Sequence, residues 1–129
     1  MSARLLPLLL IALLALPARA QDADVYRVVD DPPELIGGLE GLQQEVRYPE
    51  AARAAGVEGT VFVQFVVDEN GRVTDERVIR SVSPELDAEA LRVIRQARFE
   101  PGTQRGEPVR VRFTIPIQYR LGSSNQSER

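Results

Sequence analysis

The chain has 129 residues, a length typical of one small domain with short extensions, and it contains no histidine, cysteine or tryptophan. Without cysteine the sequence offers no disulfides and no thiolate metal ligands, and without histidine it offers no Ser-His or Cys-His nucleophile pair. The net charge of −3, from 16 basic and 19 acidic residues without a basic block, argues against non-specific nucleic-acid binding.

Residues 1–20 have the pattern of a secretory signal peptide. Arg4 supplies a positive start, Leu5–Leu16 is an apolar run, and residues 18–20 have the small-x-small form of a cleavage site. The pattern predicts export to a bacterial periplasm and a mature chain that begins at Gln21. An uncleaved membrane anchor is the alternative, although the apolar run is shorter than the roughly 20 residues that a spanning helix needs.

Residues 21–38 are predicted to form an extended lead-in to the domain. Val25–Val29 has the composition of a short strand, and the adjacent prolines at 32–33 favour an extended path. The domain itself is predicted over residues 39–121. Residues 122–129 are polar and are predicted to form a flexible tail.

The middle of the chain predicts two short helical segments and a hairpin. Leu39–Val46 and Tyr48–Gly56 have helical patterns, the second with proline near its start and glycine at its end. Gly59–Asp68 carries apolar residues on both faces, which indicates a central strand. The Asn-Gly pair that follows predicts a tight type I′ turn. The return strand, Val73–Val82, has an irregular pattern that a β-bulge or a weakly buried edge would explain.

A longer helix is predicted from Ser83 to about Arg98, with an apolar stripe at helical spacing. This helix joins the return strand to the last strand, so the connection crosses over the first strand. We therefore predict an α+β fold with two layers. Its three-stranded antiparallel sheet has the order 2-1-3, and two helices cover one face.

The last strand, Pro108–Leu121, alternates strictly between two faces, which predicts one buried and one solvated side. The apolar positions are Val109, Val111, Phe113, Ile115, Ile117, Tyr119 and Leu121, and the others are Arg110, Arg112, Thr114, Pro116, Gln118 and Arg120. Pro116 has no N–H to donate, so this strand is predicted at an edge of the sheet. In an antiparallel ladder the even-numbered backbone groups would then face solvent.

An open edge of this length has two interpretations. Arg110, Arg112 and Arg120 could blunt it against aggregation, or the edge could accept an extended peptide as an added strand. Residue spacing alone leaves both open.

The adjacent acids at 68–69 and 75–76 flank a turn and are typical of turn and edge positions rather than of a catalytic pair. The sequence thus predicts a binding protein, not an enzyme, with no cofactor and no metal site.

Five short motifs together resemble the C-terminal domain of TonB, the energy transducer of Gram-negative envelopes. They are Tyr48-Pro49-x-x-Ala52-Arg53, Gly59-x-Val61-x-Val63-x-Phe65-x-Val67, Asn70-Gly71-x-Val73, Leu86-x-x-x-Ala90-Leu91 and Arg98-Phe99-x-Pro101-Gly102. Each motif is weak alone, but their order and spacing make the set specific. The resemblance covers residues 39–121.

The resemblance implies that the last strand binds an extended peptide, the TonB box of an outer-membrane TonB-dependent transporter, or a similar segment of another envelope protein. It places this chain in transmembrane transport across the outer membrane. On this basis the predicted partner-binding residues are Val109, Arg110, Val111, Arg112, Phe113, Thr114, Ile115, Gln118 and Tyr119.

The sequence departs from a full TonB in two respects. A full TonB has an uncleaved transmembrane helix coupled to a proton-driven motor and a long proline-rich spacer, whereas this chain has a predicted cleavable signal and one Pro-Pro pair. Residues 45–47 also replace the Gln-Pro pair that members often carry before Tyr48. Two alternatives stay open: a membrane-anchored energy transducer, and a structural or assembly protein that forms a homodimer through its edge strand.

Overall fold

The structure is a computed structural model that describes residues 25–122; the predicted signal peptide and residues 123–129 of the predicted tail lie outside the described residues. In chain order, the elements are β1 (Val25–Tyr26), β2 (Glu34–Leu35), α1 (Gly38–Glu45), α2 (Glu50–Ala54), β3 (Gly59–Val67), β4 (Val73–Arg80), α3 (Pro84–Gln96), β5 (Phe99–Glu100), β6 (Gly102–Gln104) and β7 (Glu107–Tyr119). Among these residues, no helix is long and apolar enough to cross a membrane.

The three long strands have the predicted order, with β3 between β4 and β7 and both pairings antiparallel. The ladder between β3 and β7 runs from Gly59 opposite Tyr119 to Val67 opposite Val111. Apolar side chains on both faces of β3 are thus explained by its central position.

The sheet is larger than the predicted three-stranded antiparallel sheet, and this part of the prediction is wrong. β1 pairs in parallel with the other side of β7, β6 pairs with the start of β7, and β2 forms a separate pair with β5. The sheet is therefore mixed. These added strands have only two or three residues each, too few for a period of two to be visible in the sequence.

Three helices pack on one face of the sheet in the described part of the chain, instead of the two that the predicted fold placed there; the helical pattern of Leu39–Val46 is confirmed as α1. Leu42 of α1, Ala52 of α2 and Leu86 of α3 all belong to one buried cluster with the odd-numbered residues of β3 and β7. The predicted start of the longest helix is confirmed: the Ser83 Oγ accepts the Leu86 N–H at 3.2 Å, and Pro84 is the first helical residue.

The core between the helices and the sheet is apolar and contains no buried charged or polar residue among those described. Its largest fully buried side chains are Tyr119, Phe65, Leu86, Ile94, Ile117, Val61, Val63, Val67 and Val93. The rings of Phe65, Phe99 and Phe113 contact one another with centroids 5.6 to 6.1 Å apart. Burial of each large side chain contributes about 1.5–3 kcal/mol before chain entropy is counted.

The turn between β3 and β4 is a hairpin, but it is not the predicted type I′ turn. Gly71 has a positive φ of 81°, while Asn70 does not, and the Gly71 N–H donates to the Asp68 carbonyl at 2.9 Å. The Asp68 side chain also accepts the N–H groups of Asn70 and Arg72, both at 2.9 Å. These bonds favour a longer turn that ends in a left-handed glycine.

The predicted irregularity of the return strand is confirmed. The register between β3 and β4 shifts twice, between Phe62 and Val63 and between Gln64 and Val66. Asp75 lies in the second shift with a φ of 56°, a conformation that non-glycine residues seldom adopt. β4 is thus a bulged strand at one edge of the sheet.

Candidate functional site

The backbone of β7 points alternately toward β3 and toward an outer side, as the sequence predicts. The Gln118 N–H donates to the Gln43 Oε1 at 3.0 Å, and the Gln118 carbonyl accepts from the Gln43 Nε2 at 3.1 Å. Gln43 lies on α1, so both groups of Gln118 point away from β3. Because the direction alternates along the strand, the backbone groups of Thr114 and Pro116 also face the outer side.

Both ends of this outer side are occupied. At one end β1 pairs with Arg110 and Val111, and at the other the side chain of Gln43 pairs with Gln118. The stretch between them, Arg112–Pro116, is named here the outer-edge window. Within residues 25–122, no strand or side chain pairs with the Thr114 backbone on this side.

The side chains of the outer-edge window are held by the sheet and do not cover its edge. Ile115 is 5% exposed and belongs to the core, and Phe113 packs on the other phenylalanine rings. Pro116 lies opposite Phe62 of β3, and Thr114 is exposed. The backbone of the window is therefore positioned by burial of alternate side chains.

The arginines of β7 turn across the sheet instead of lying along its outer edge. The Arg112 Nη1 lies 3.8 Å from the Asp75 Oδ2, on β4 beyond β3, and the Arg110 Nε lies 3.6 Å from the Glu69 Oε1 in the hairpin turn. Such partly exposed pairs contribute little stability. Their direction is more informative, because it leaves the edge unblocked and weakens the interpretation in which these arginines blunt it.

The predicted partner-binding residues fall into two groups. Arg112, Phe113, Thr114 and Ile115 lie in the outer-edge window. The remaining residues pair or pack within the domain: Val109 with Gly102, Arg110 with Val25, Val111 with Tyr26, Gln118 with Gln43, and Tyr119 with Leu86, whose carbonyl accepts the Tyr119 O–H at 3.0 Å. Burial raises the pKa of the Tyr119 phenol.

The end of α1 beside the outer-edge window is fixed by a carboxylate of α3. Glu89 accepts the Arg47 N–H at 2.7 Å and two bonds from the Arg92 guanidinium at 2.9 and 2.7 Å. Arg92 in turn donates to the Glu45 carbonyl at 3.2 Å. The hydrogen bonds from Arg92 lower the pKa of Glu89, so this carboxylate is charged at neutral pH and holds residues 45–47 in place.

Sequence reasoning missed Gln43 and the role of β1. Gln43 lies 75 positions from Gln118 in the chain, and a glutamine on a surface helix carries no sequence signal for such a contact.

The described residues contain no cluster of three or more acidic, histidine or cysteine side chains that could hold a metal ion. The open backbone of the outer-edge window is thus the feature that the geometry presents for binding.

Residues 44–121 match the sequence profile of the C-terminal region of the Gram-negative bacterial TonB protein. This match covers more than half of the chain. The chain belongs to the TonB C-terminal family. Similar curated proteins include Protein TonB of Vibrio cholerae, 34% identical over 105 residues that cover 81% of this chain and 41% of that protein. Protein TonB of Xanthomonas campestris is 36% identical over 76 residues, covering 58% of this chain and 34% of that protein.

Solved structures give the same family relation. An NMR solution structure of the Helicobacter pylori TonB-CTD aligns with a TM-score of 0.51 and 32% identity, covering 64% of this chain and 75% of that one. The α+β fold is thus that of TonB C-terminal domains. This chain spans about two fifths of the length of its Vibrio cholerae relative.

Proposed function

We propose that this protein is an exported, periplasmic binding module that accepts an extended peptide of an envelope protein as an added strand, in TonB-dependent transport. The observation that carries the proposal is the outer-edge window, Arg112–Pro116: within residues 25–122 the Thr114 backbone at its centre is unpaired on the outer side, and Arg112 turns away across the sheet. Membership of the TonB C-terminal family supports the same role. The role is binding and not catalysis.

The proposed guest is a TonB-box-like segment of an outer-membrane transporter. Backbone hydrogen bonds would supply affinity, through the Thr114 N–H and the carbonyls of Thr114 and Pro116, and alternate side chains would supply selection. Pro116 offers an acceptor without a donor, so a guest strand meets one fewer N–H there than in an ordinary ladder. This difference favours a short added strand over the extension of an entire sheet.

The direct test is an NMR titration of the purified full chain, labelled with ¹⁵N, with a synthetic TonB-box peptide of an outer-membrane transporter. We expect the amide shift changes to centre on Thr114 and its neighbours Phe113 and Ile115. The proposal fails if no amide shifts, or if the shifts cluster on another surface such as β4.

Sedimentation equilibrium of the same sample addresses the homodimer alternative, which a monomer at micromolar concentration contradicts.

The location of the protein is a separate prediction with its own measurement. Fractionation of cells followed by N-terminal sequencing distinguishes a processed periplasmic protein from a membrane-anchored energy transducer. A chain that begins at Gln21 supports the processed form. An intact N-terminus in the membrane fraction supports the anchored alternative and leaves the proposed strand addition unaffected.

A further inference from the structure

We propose that Gln43 is the register stop of the outer-edge window: its carboxamide takes the place of a neighbouring strand at Gln118, so the guest strand is held to the five residues opposite Arg112–Pro116. This inference rests on the proposed function of the window and adds to it the length and the register of the guest. Gln43 thereby becomes a specificity-determining residue.

The Gln43 side chain reproduces the pairing of a strand residue. Its Oε1 accepts the Gln118 N–H at 3.0 Å, and its Nε2 donates to the Gln118 carbonyl at 3.1 Å. A residue on an added strand would use the same donor and acceptor. A guest that extends past Pro116 therefore competes with Gln43 for both groups and gains no hydrogen bond there.

Gln43 is well placed to resist this competition because the helix end that carries it is fixed. The Val46 N–H donates to the Gln43 carbonyl at 3.2 Å and ends α1. The next residues are held by the Glu89–Arg92 pair through the Glu45 carbonyl and the Arg47 N–H. Displacement of the Gln43 side chain would leave its carboxamide without its hydrogen bonds to the Gln118 backbone. This loss opposes replacement of Gln43 by a guest strand.

The other end of the window is closed by a lead-in that is also held in place. Asp31 and Thr103 exchange two backbone hydrogen bonds, at 3.1 and 2.9 Å, and the Thr103 O–H donates to the Asp31 carboxylate at 2.9 Å. The Asp30 carboxylate accepts the Arg105 N–H at 2.9 Å. These bonds anchor the segment that follows β1, so a guest is expected to begin after the pairing of Tyr26 with Val111.

The window also favours one kind of guest side chain. Leu39 is 45% exposed and lies one turn before Gln43 on α1, so both side chains project from the same side of that helix. Because Gln43 reaches the outer edge of β7 from the helix side of the sheet, we expect Leu39 to face the same edge. A guest residue opposite Ile115 would point to this side, where an apolar side chain would cover Leu39.

The test compares two lengths of one probe on four forms of the full chain. The probes are a TonB-box peptide cut to five residues and the same peptide extended to nine. The proteins are the wild type, Gln43→Ala, Gln43→Glu, and the matched control Gln44→Ala, which removes an exposed glutamine from the same helix. The measured quantities are the Kd of each peptide and the amide shift of Gln118.

In the wild type and in Gln44→Ala, we expect the nine-residue peptide to bind no more than about twofold tighter than the five-residue one, with an unmoved Gln118 amide. In Gln43→Ala, the longer peptide should gain at least about three- to tenfold, the usual effect of one of the two hydrogen bonds that Gln118 then offers, and the Gln118 amide should shift. Gln43→Glu keeps an acceptor and loses the donor, so its gain in affinity for the longer peptide should lie between those of the wild type and Gln43→Ala.

Two results would overturn this inference and leave the proposed function intact. One is a wild type that already binds the longer peptide more tightly and shows a shift of the Gln118 amide. The other is a Gln43→Ala protein whose preference between the two peptide lengths is unchanged. Binding of neither peptide to the wild type would overturn the proposed function and, with it, this inference. The urea midpoint of each variant is measured in parallel. If Gln43→Ala is unfolded, the comparison of Gln43→Glu with the wild type decides. A preference between the two peptide lengths that is unchanged in Gln43→Glu contradicts the role of Gln43 as a register stop.

Discussion

Two long strands of the sheet, β4 and the part of β7 beyond β1, have an open edge, and these edges differ in almost every respect. β4 is bulged at two places, carries Asp75 in a left-handed conformation and exposes the charged side chains of Arg77 and Arg80. β7 keeps an unbroken register with β3 from Val111 to Tyr119. Its outer side has no bulge and is shortened instead by β1 and Gln43.

The difference indicates two ways of managing the unpaired backbone of an edge. Bulges and charges at β4 disfavour pairing with another chain. At β7 the backbone remains regular and able to pair, but only over the outer-edge window. This contrast is what a protein needs if one edge is to bind a short strand while the sheet as a whole does not aggregate.

The largest expected effect comes from proline substitution on the two sides of β7. Ile115→Pro removes an N–H that faces β3 and should lower the free energy of unfolding by about 3 kcal/mol or more. Thr114→Pro removes an N–H that faces outward and should cost less than about 1 kcal/mol. Urea unfolding of the two variants measures the difference, and equal losses would contradict the assigned directions.

The same Thr114→Pro variant should lose binding of the TonB-box peptide by at least about tenfold, because the central donor of the window is gone. Thr114→Ala is the matched control, since it removes the side chain and keeps the N–H. Isothermal titration should find nearly unchanged affinity for Thr114→Ala. Loss of affinity in the alanine variant would mean that the hydroxyl, and not the backbone, carries binding.

A smaller effect is expected at the bulge of β4. Asp75 has a φ of 56°, so Asp75→Val places a branched side chain in a left-handed conformation, while Asp75→Gly relieves it. Both variants lose the contact with Arg112. The valine variant should be less stable than the glycine variant by about 1–2 kcal/mol in urea unfolding, and peptide affinity should change in neither.

The smallest effect is a pH dependence. Hydrogen bonds from Arg95 and Arg92 lower the pKa of Glu76, at β4, and of Glu89, beside the end of α1, from the usual value of 4.5. Their stabilisation is therefore complete above pH 4.5 and is lost as the pH falls below it. Urea midpoints should decline in that range, and less so in Glu89→Gln. An unchanged decline of the urea midpoint in Glu89→Gln would show that Glu89 does not contribute to this pH dependence.

The features of the domain that repeat along the sequence were predictable. Alternation in β7 gave its buried face and the Ser83-Pro84 pair gave the start of α3, and the structure confirms both. The edge position inferred from Pro116 holds only in part, because β1 pairs with Arg110 and Val111 on the outer side of β7. The poor pattern of the return strand likewise indicated its bulges.

The features that depend on contacts between distant residues were not predictable. The two residues of β1 have no period, and the contact of Gln43 with Gln118 joins positions 75 apart. The Asn-Gly rule failed because the Asp68 side chain stabilises a different turn. The direction of Arg112 also depends on where the bulge of β4 places Asp75.

The most direct test of the central claim is amide hydrogen exchange at Thr114, measured on the full chain with and without the TonB-box peptide. Exchange at Thr114 should be fast in the free protein and slower by at least about tenfold with the peptide bound, while the Ile115 amide stays slow in both. Slow exchange at Thr114 in the free protein, or unchanged exchange while the peptide is bound, would contradict strand addition at the outer-edge window.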